Sequence, residues 1–208
     1  MISPKAGLPI ASNDQTAQTR LILASASPRR LDLLARIGVI PDAVDPADID
    51  ERHAKHELPL AYAKRMAAEK ALVAALRHPG ACVLGADTVV AVGRRILPKA
   101  ETEEQARACL SLISGRRHRV HSAVTVIDAR GISRHRVSTT IVIFKRLSAR
   151  EIDAYISGGD WQGKAGGYAI QGLAEAFVRS LIGSHSGVVG LPLFETQALL
   201  IASGINCG

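Results

Sequence analysis

Residues 20–38 read Arg-Leu-Ile-Leu-Ala-Ser-Ala-Ser-Pro-Arg-Arg-Leu-Asp-Leu-Leu-Ala-Arg-Ile-Gly, and this stretch decides how the fold begins. The apolar run 21–24 predicts a short buried strand. Ser27 is a favoured helix N-cap residue, Pro28 suits the first helical position, and Gly38 suits the position after the last turn. The sequence therefore predicts a strand, a tight turn and a helix in direct succession.

Beyond this unit, patterns typical of strands and of helices alternate along the chain. Helical spacing and two capping boxes predict further helices, which span 60–76, 102–113, 148–156 and 192–202. Apolar or alternating runs predict further strands, which span 81–86, 89–92, 120–127, 137–144 and 176–182. The runs 120–127 and 137–144 are expected to form a β-hairpin. This order predicts an α/β fold with a mixed sheet and flanking helices.

The composition is that of an ordinary globular protein, with 208 residues of which 47% are hydrophobic and 22% charged. It excludes a largely disordered chain, a collagen-like repeat and a disulfide scaffold. No run reaches the roughly 18–20 uncharged apolar residues that cross a bilayer. The polar residues 1–19 are expected to form a disordered N-terminal extension, and residues 20–208 a single domain.

The cysteines indicate a reducing compartment. Cys82, Cys109 and Cys207 are widely separated and show no CxxC spacing, so neither a zinc site nor a disulfide framework is expected. We expect Cys82 and Cys109 to be buried, inert thiols. The N-terminal extension lacks the apolar core of a signal peptide, and a cytoplasmic location is therefore expected.

The charge balance favours an anionic partner. Lys and Arg number 26 and Asp and Glu 19, a net charge of +7 with an isoelectric point near 9.7. Three anionic partners fit such a charge: nucleic acid, nucleotides and an acidic membrane surface. The low aromatic content of 3% disfavours a single-strand binder built on stacked bases.

Two places near predicted strands carry candidate chemistry. A helix that starts at Pro28 offers free N–H groups to phosphate. Arg29 and Arg30 in its first turn interact unfavourably with the positive end of the helix dipole, and a bound anion would offset that cost. Asp87 follows the apolar run 81–86, and a carboxylate at a strand end is placed to hold a divalent metal or to take a proton from water. The alternatives are two solvated arginines and a capping aspartate.

Further candidates lie in less regular segments. Lys99 precedes a capped helix, and the glycine-rich stretch 159–172 carries Lys164 and Gln171, which offer a charge and an amide. This stretch could equally be a mobile loop, because glycine-rich patterns alone are weak. His118 stands in a basic cluster, 114–119, where a lone histidine is more often structural than catalytic.

Several of these segments, taken together and in this order, resemble the Maf proteins, a family of nucleoside triphosphate pyrophosphatases. The resemblance covers nearly all of residues 20–204. Its motifs are 23–30 (Leu-Ala-Ser-Ala-Ser-Pro-Arg-Arg), 69–71 (Glu-Lys-Ala), 85–89 (Gly-Ala-Asp-Thr-Val), Ser114-Gly115 with His118, 164–172 (Lys-Ala-Gly-Gly-Tyr-Ala-Ile-Gln-Gly) and 189–193 (Val-Gly-Leu-Pro-Leu). The ordered set is far more specific than any single motif.

The resemblance implies an elongated, ITPase-like α/β fold with two lobes around a central substrate cleft. It also implies a hydrolase that needs Mg²⁺ or Mn²⁺ and converts a nucleoside triphosphate to the monophosphate and pyrophosphate. Asp87 corresponds to the catalytic acid–base residue and, with Glu51, to a metal ligand. The positions that correspond to substrate-binding residues are Ser27, Arg29, Arg30, Lys70, Thr88, Lys99, Lys164 and Gln171.

The ending Ile-Gln-Gly at 170–172 is similar to the branch that favours dTTP and UTP, whereas Gly163 stands where that branch has an aspartate. The implied partner is a nucleoside triphosphate, with no nucleic acid and no membrane. The sequence leaves open the physiological nucleotide, a homodimer, and roles in nucleotide-pool housecleaning or cell-division arrest. A nucleotide sensor without turnover and a basic nucleic-acid-binding module are the alternatives.

Overall fold

A computed structural model describes residues 19–208, so all but the last residue of the predicted extension lies outside the described part. The first half of the chain begins with the predicted strand and helix. Its elements are β1 (Leu21–Leu23), α1 (Pro28–Ala35), β2 (Ala43–Val44), α2 (Pro59–Arg77), β3 (Cys82–Val92), β4 (Arg95–Leu97), β5 (Lys99–Ala100) and α3 (Glu103–Ile113).

The second half begins with a long hairpin. Its elements are β6 (Arg117–Ile127), β7 (Ser133–Phe144), α4 (Ala149–Ser157), β8 (Lys164–Ala165), a 3₁₀ turn (Leu173–Phe177), β9 (Val178–Ile182), α5 (His185–Val189) and α6 (Leu193–Ala202). The predicted strand 176–182 is wrong in its first two residues, which end the 3₁₀ turn. The short helix α5 has no counterpart in the prediction.

A seven-stranded mixed sheet forms the centre of the fold. Its order is β2-β1-β3-β6-β7-β9, and β4 pairs with β3 in addition. The strands β2, β1 and β3 run parallel, whereas the remaining pairs in this sheet are antiparallel. Strands β5 and β8 form a separate pair. The α/β class with a mixed sheet and flanking helices is confirmed.

Helices cover both faces of the sheet. Ile22 and Val83 pack with Ala74 of α2 in one buried cluster. The neighbouring residues of the same strands point the other way, so that Leu23 joins Leu34 of α1 in the main core. This alternation is the two-residue period of a strand. Within residues 19–208 no helix is both long and apolar enough to cross a membrane.

Local sequence signals account for several helix ends. The side chains of Thr102 and Ser148 cap α3 and α4. The side chains of Gln105 and Glu151 accept hydrogen bonds from the amides of Thr102 and Ser148, which completes both predicted capping boxes. Ser27 occupies the predicted N-cap position of α1, although its side chain makes no capping hydrogen bond. The first amides of α1 are therefore left without a side-chain cap.

Candidate functional site

The cleft opens at a gap along one edge of β3. On that edge β1 pairs with Cys82–Leu84 and β4 with Val90–Val92, while β6 pairs with Val83–Ala91 on the opposite edge. Within residues 19–208, no strand pairs with 85–89 on the first edge. Because the parallel partner stops where α1 begins and the next partner runs antiparallel, this gap has the character of a topological switch point.

Asp87 lies in the middle of this gap. The prediction that it follows the end of a strand is wrong, because β3 continues without interruption from Cys82 to Val92. The physical reason is the hairpin: β6 supplies hydrogen-bonding partners along almost the whole of β3, including Asp87 opposite Ala123. The strand that ends beside the carboxylate is β1, which leads into α1.

Every site residue predicted from the sequence lines one cleft of about 420 Å³. Its charged members are Arg29, Arg30, Glu51, Lys70, Asp87, Lys99 and Lys164. Ser27, Thr88 and Gln171 complete the predicted set on its walls. Five cationic side chains thus face two carboxylates, which leaves an excess of three positive charges for an anionic ligand.

A buried lysine joins the two carboxylates. Lys70 Nζ lies 2.7 Å from Asp87 Oδ1 and 2.7 Å from Glu51 Oε1, and Lys99 pairs with the other oxygen of Glu51. Partial burial acts to raise the pKa of Glu51, but the hydrogen bonds from Lys70 and Lys99 outweigh it and lower that pKa to about 2. Lys70, predicted to meet phosphate, is thus already paired within the protein.

The close approach of α2 to β3 sets this geometry. A Cβ atom at Gly85 would lie 2.5 Å from the carbonyl oxygen of Ala67 and 2.7 Å from the amide nitrogen of Ala71, so only glycine leaves room for the helix. Lys70 stands between these two helical positions. The small residues therefore bring the lysine within reach of Asp87, two residues further along the strand from Gly85.

The N-terminus of α1 forms another wall of the cleft. Arg30 donates from Nη1 to Ser25 Oγ at 2.6 Å and from Nε to the Gly190 carbonyl at 3.0 Å. Thr88 donates to the same carbonyl at 3.3 Å. Arg29, by contrast, makes no side-chain hydrogen bond or ion pair within residues 19–208. Burial lowers the pKa of both guanidinium groups, because it disfavours their charged form.

The glycine loop, defined here as residues 163–172, forms the opposite wall. Its strand β8 pairs with β5, so Lys164 lies opposite Ala100 and Ala165 opposite Lys99. Burial lowers the pKa of Lys164, and the nearby charge of Arg29 acts in the same direction. Gly163 has a φ of +63°, a conformation that glycine adopts freely and an L-residue rarely.

A second cavity of about 470 Å³ adjoins the cleft. The two spaces share Glu51, Asp87, Thr88, Lys99 and Ala165, and the second is also lined by Tyr62 of α2 and Ile96 of β4. The hydroxyl of Tyr62 donates to the carbonyl of residue 51. Asp87 therefore lines both spaces.

Sequence reasoning missed some of the residues that build the cleft. Ser25 holds Arg30, and Gly190 accepts from both Arg30 and Thr88, yet neither was among the predicted site residues. Both belong to the motif segments 23–30 and 189–193, which is the signal that could have found them. The side-chain partners of Lys70 had no such signal.

The cleft has the charge and the carboxylate of a site for an anionic substrate. The chain belongs to the Maf-like protein family, whose family model matches residues 20–203. The dTTP/UTP pyrophosphatase of Rhodospirillum rubrum is 61% identical over 188 residues, 90% of this chain and 90% of that protein. The dTTP/UTP pyrophosphatase of Novosphingobium aromaticivorans is 60% identical over 198 residues, 95% of this chain and 96% of that protein. The resemblance inferred from the motifs is confirmed.

Among solved structures, that of a HAM1 protein from Coxiella burnetii is similar at a TM-score of 0.49 and 14% sequence identity, and the match covers 88% of this chain and 99% of that one.

Proposed function

We propose that this Maf-like protein is a nucleoside triphosphate pyrophosphatase that hydrolyses UTP and dTTP to the monophosphate and pyrophosphate. The observation that carries the proposal is the set of five cationic side chains around the Asp87 carboxylate in one cleft. A triphosphate bears close to four negative charges, and phosphoryl transfer demands chiefly positioning and charge neutralisation. The relatives named as dTTP/UTP pyrophosphatases support the same reaction.

Asp87 is the proposed proton acceptor. Lys70 holds its Oδ1, and no side-chain hydrogen bond within residues 19–208 reaches its Oδ2, which is left to orient a water. The water oxygen bonds to the α-phosphorus while the bond from that phosphorus to the bridging oxygen breaks. The water proton passes to Asp87, and the electron pair of the broken bond leaves with pyrophosphate. Arg29, Lys99 and Lys164 stabilise the charge on the leaving group.

The donor set fits a divalent cation that arrives with the substrate. Asp87 and Glu51 contact the same ammonium, so their carboxylates lie close together. Mg²⁺ commonly takes one or two carboxylates and completes its shell with phosphate oxygens and water. The described residues contain no group of three or more acidic, histidine or cysteine ligands, which disfavours a cage made of protein alone. Bound there, the ion would offset charge on the phosphate oxygens.

Gln171 is the proposed reader of the base. It lies on the cleft wall at the end of the glycine loop, and its amide can donate and accept at once. Uracil and thymine present an N3–H donor between two carbonyl acceptors, which such an amide can match. The remaining substrate-binding candidates, Ser27 and Thr88, offer hydroxyl groups to the phosphates or the sugar.

We further propose a cytoplasmic location. Cys82 and Cys109 are free, buried thiols, and burial raises the pKa of both, to about 12 at Cys82, so neither is a reactive thiolate at neutral pH. Cys207 is also free. Unpaired cysteines of this kind are typical of a reducing compartment.

The test is a substrate screen of the purified full chain. UTP, dTTP, CTP, ATP, GTP and 7-methyl-GTP are incubated with Mg²⁺, Mn²⁺ or EDTA, and pyrophosphate, phosphate and nucleotide products are separated. We expect one pyrophosphate per monophosphate, loss of turnover in EDTA, and recovery when either metal is restored. Nucleotide binding without product would identify a sensor, and duplex DNA binding with a steep salt dependence would identify the nucleic-acid class.

A further inference from the structure

His118 belongs to a motif of the sequence but does not reach the cleft. It lies on β6 with 2% of its surface exposed, and its Nε2 is 2.8 Å from the hydroxyl oxygen of Tyr168. Its ring meets Tyr168 and Phe144 edge to face, with centroids 5.4 and 5.1 Å away. Tyr168 belongs to the glycine loop and does line the cleft. The pair therefore connects the core to the substrate-binding wall.

The hydrogen bond comes with an unsatisfied buried atom. Nδ1 of His118 has no hydrogen-bond partner in the described part of the chain. Burial lowers the pKa of His118 to about 4, so the imidazole is neutral near pH 7 and one ring nitrogen carries the proton. Whichever nitrogen that is, Nδ1 remains a buried donor or acceptor without a partner, which is unfavourable. A phenylalanine at position 118 would fill the same space without leaving a buried polar atom unpaired. The histidine is therefore better explained by its hydrogen bond to Tyr168 than by packing alone.

The first half of the glycine loop is attached by backbone hydrogen bonds, which run from the amide of Gly163 to the carbonyl of Ala100 at 2.8 Å and from the amide of Gly166 to the carbonyl of Pro98 at 2.9 Å. The hydroxyl of Tyr155 accepts from the amide of Ala169 at 3.0 Å, directly beside Tyr168. Gly166 and Gly167 both have left-handed φ values, and a Cβ atom at Gly166 would lie 2.8 Å from a methyl carbon of Val90. Between Lys164 and Gln171 the loop is thus held by a backbone hydrogen bond and close packing at Gly166, and after it by the hydroxyls of Tyr168 and Tyr155.

We propose that His118 is a positioning residue for substrate selection. By holding the Tyr168 hydroxyl, it fixes the backbone that carries Lys164 on one side and Gln171 on the other. It touches no substrate, and its effect falls on substrate affinity and base preference and not on the chemical step. This inference rests on the proposed pyrophosphatase function.

Two substitutions remove the same bond from opposite ends. His118→Phe and Tyr168→Phe both keep an aromatic ring in the buried cluster, and His118→Gln keeps a polar atom near the position of Nε2. We expect each phenylalanine variant to raise KM for UTP and dTTP about tenfold, the scale of one lost hydrogen bond, with kcat changed by less than about threefold. The pyrimidine-to-purine ratio of kcat/KM should fall in parallel.

The double variant and a stability control separate positioning from general damage. The double variant His118→Phe/Tyr168→Phe should raise KM no more than either single variant does, because all three lose the same hydrogen bond. His118→Gln should recover most of the affinity. Val83→Ala, which disturbs a separate buried cluster, should lower the unfolding temperature without changing KM or the base ratio.

Direct nucleotide binding, measured by calorimetry as a Kd for UTP, keeps this inference distinct from the proposed function. If wild type releases pyrophosphate but both phenylalanine variants keep its KM, Kd and base ratio, the positioning role is overturned and the pyrophosphatase assignment stands. If wild type binds UTP without turnover, the pyrophosphatase assignment fails, and a tenfold weaker Kd in the variants still supports the positioning role.

Discussion

The ammonium of Lys70 and the carboxylate of Asp87 are 2.7 Å apart in the core of the fold, each with less than a tenth of its side chain exposed. The lysine comes from α2 and the aspartate from the unpaired edge of β3. A buried ion pair of this kind is seldom retained for stability, because desolvation of both charges offsets much of their attraction. Both residues line the cleft, which fits the proposed role of Asp87 as the proton acceptor.

Asp87→Asn should abolish turnover while leaving the fold intact. The amide has nearly the volume of the carboxylate but cannot accept the water proton, so kcat should fall at least about 10²-fold, the lower end for a general acid–base group. Steady-state kinetics with UTP measures this, and circular dichroism checks the fold. Asp32→Asn, on an exposed position of α1, is the matched control. Near-normal turnover in Asp87→Asn would remove Asp87 from the mechanism.

Lys70→Met should lose both activity and stability. The buried carboxylate of Asp87 loses its ion pair, at about 3–5 kcal/mol of unfolding free energy, whereas in Asp87→Asn the ammonium of Lys70 still pairs with Glu51. Adding Asp87→Leu should restore much of that stability without restoring turnover, because a well-packed apolar pair replaces the two charges. Urea unfolding and pyrophosphate release are measured on the same samples. A double variant as unstable as Lys70→Met would show that the pair is not the cause of the loss.

Gly85→Ala should move α2 away from β3. The added Cβ would meet the backbone of Ala67 at 2.5 Å, and overpacking of this kind costs about 1–3 kcal/mol. Because Lys70 belongs to α2, the shift should also move its ammonium away from Asp87, and kcat should fall. Gly158→Ala is the matched control, since its φ is negative and the nearest contact is an ordinary 3.4 Å. Equal stability of the two variants would contradict the close helix–strand packing.

Much of the fold could be predicted because its longer elements carry local signals. The capping boxes at Thr102 and Ser148 place α3 and α4, and alternation places the hairpin of β6 and β7. The hairpin strands extend beyond the predicted ranges, to Arg117 and Ser133, because backbone pairing continues where the side chains are polar. The strands β2, β5 and β8, of two residues each, depend on distant partners and leave no periodicity to read, whereas β4 pairs with β3 directly across a turn at residues 93–94.

The residues of the candidate site could also be predicted from the sequence, whereas the contacts between them could not. Its residue set came from the motif resemblance, and all of those residues line one cleft, whereas their functional roles stay predictions. The pairing of Lys70 with Asp87 and Glu51 could not be inferred, because the three residues lie on separate segments. The packing of α2 against Gly85 brings Lys70 to Asp87, and the contacts of Glu51 with Tyr62 and Lys99 bring Glu51 to both. The two-lobed single domain, the homodimer and the disordered extension also remain predictions.

Asp128 gives the fold a stability that depends on pH. A hydrogen bond from Arg134, aided by the amides of Ile132 and Arg130, lowers the pKa of this turn carboxyl from 3.8 to about 2. The folded state therefore binds the proton less readily than the unfolded state, and this contribution is fully present above about pH 4 and lost as pH falls toward 2.

Asp128→Asn tests that linkage. The difference in unfolding free energy between wild type and variant should be constant from pH 7 to 5 and shrink as pH falls from 4 to 2. Urea titrations at each pH measure it. A difference between wild type and Asp128→Asn that stays the same at pH 3 and pH 7 would contradict the assignment.

Gln171 should decide the choice of base. One mismatched buried hydrogen bond costs about 1–3 kcal/mol, so wild type should use UTP and dTTP at least about tenfold better than ATP and GTP in kcat/KM. Gln171→Glu removes the amide donor and adds a negative charge, and it should erode that preference. Gln162→Glu adds the same charge in the same irregular segment without lining the cleft, so it should retain the preference. Matched kcat/KM values for the four nucleotides measure both effects. Equal use of purines and pyrimidines by wild type would refute base selection by Gln171 and leave pyrophosphate release to be judged on its own.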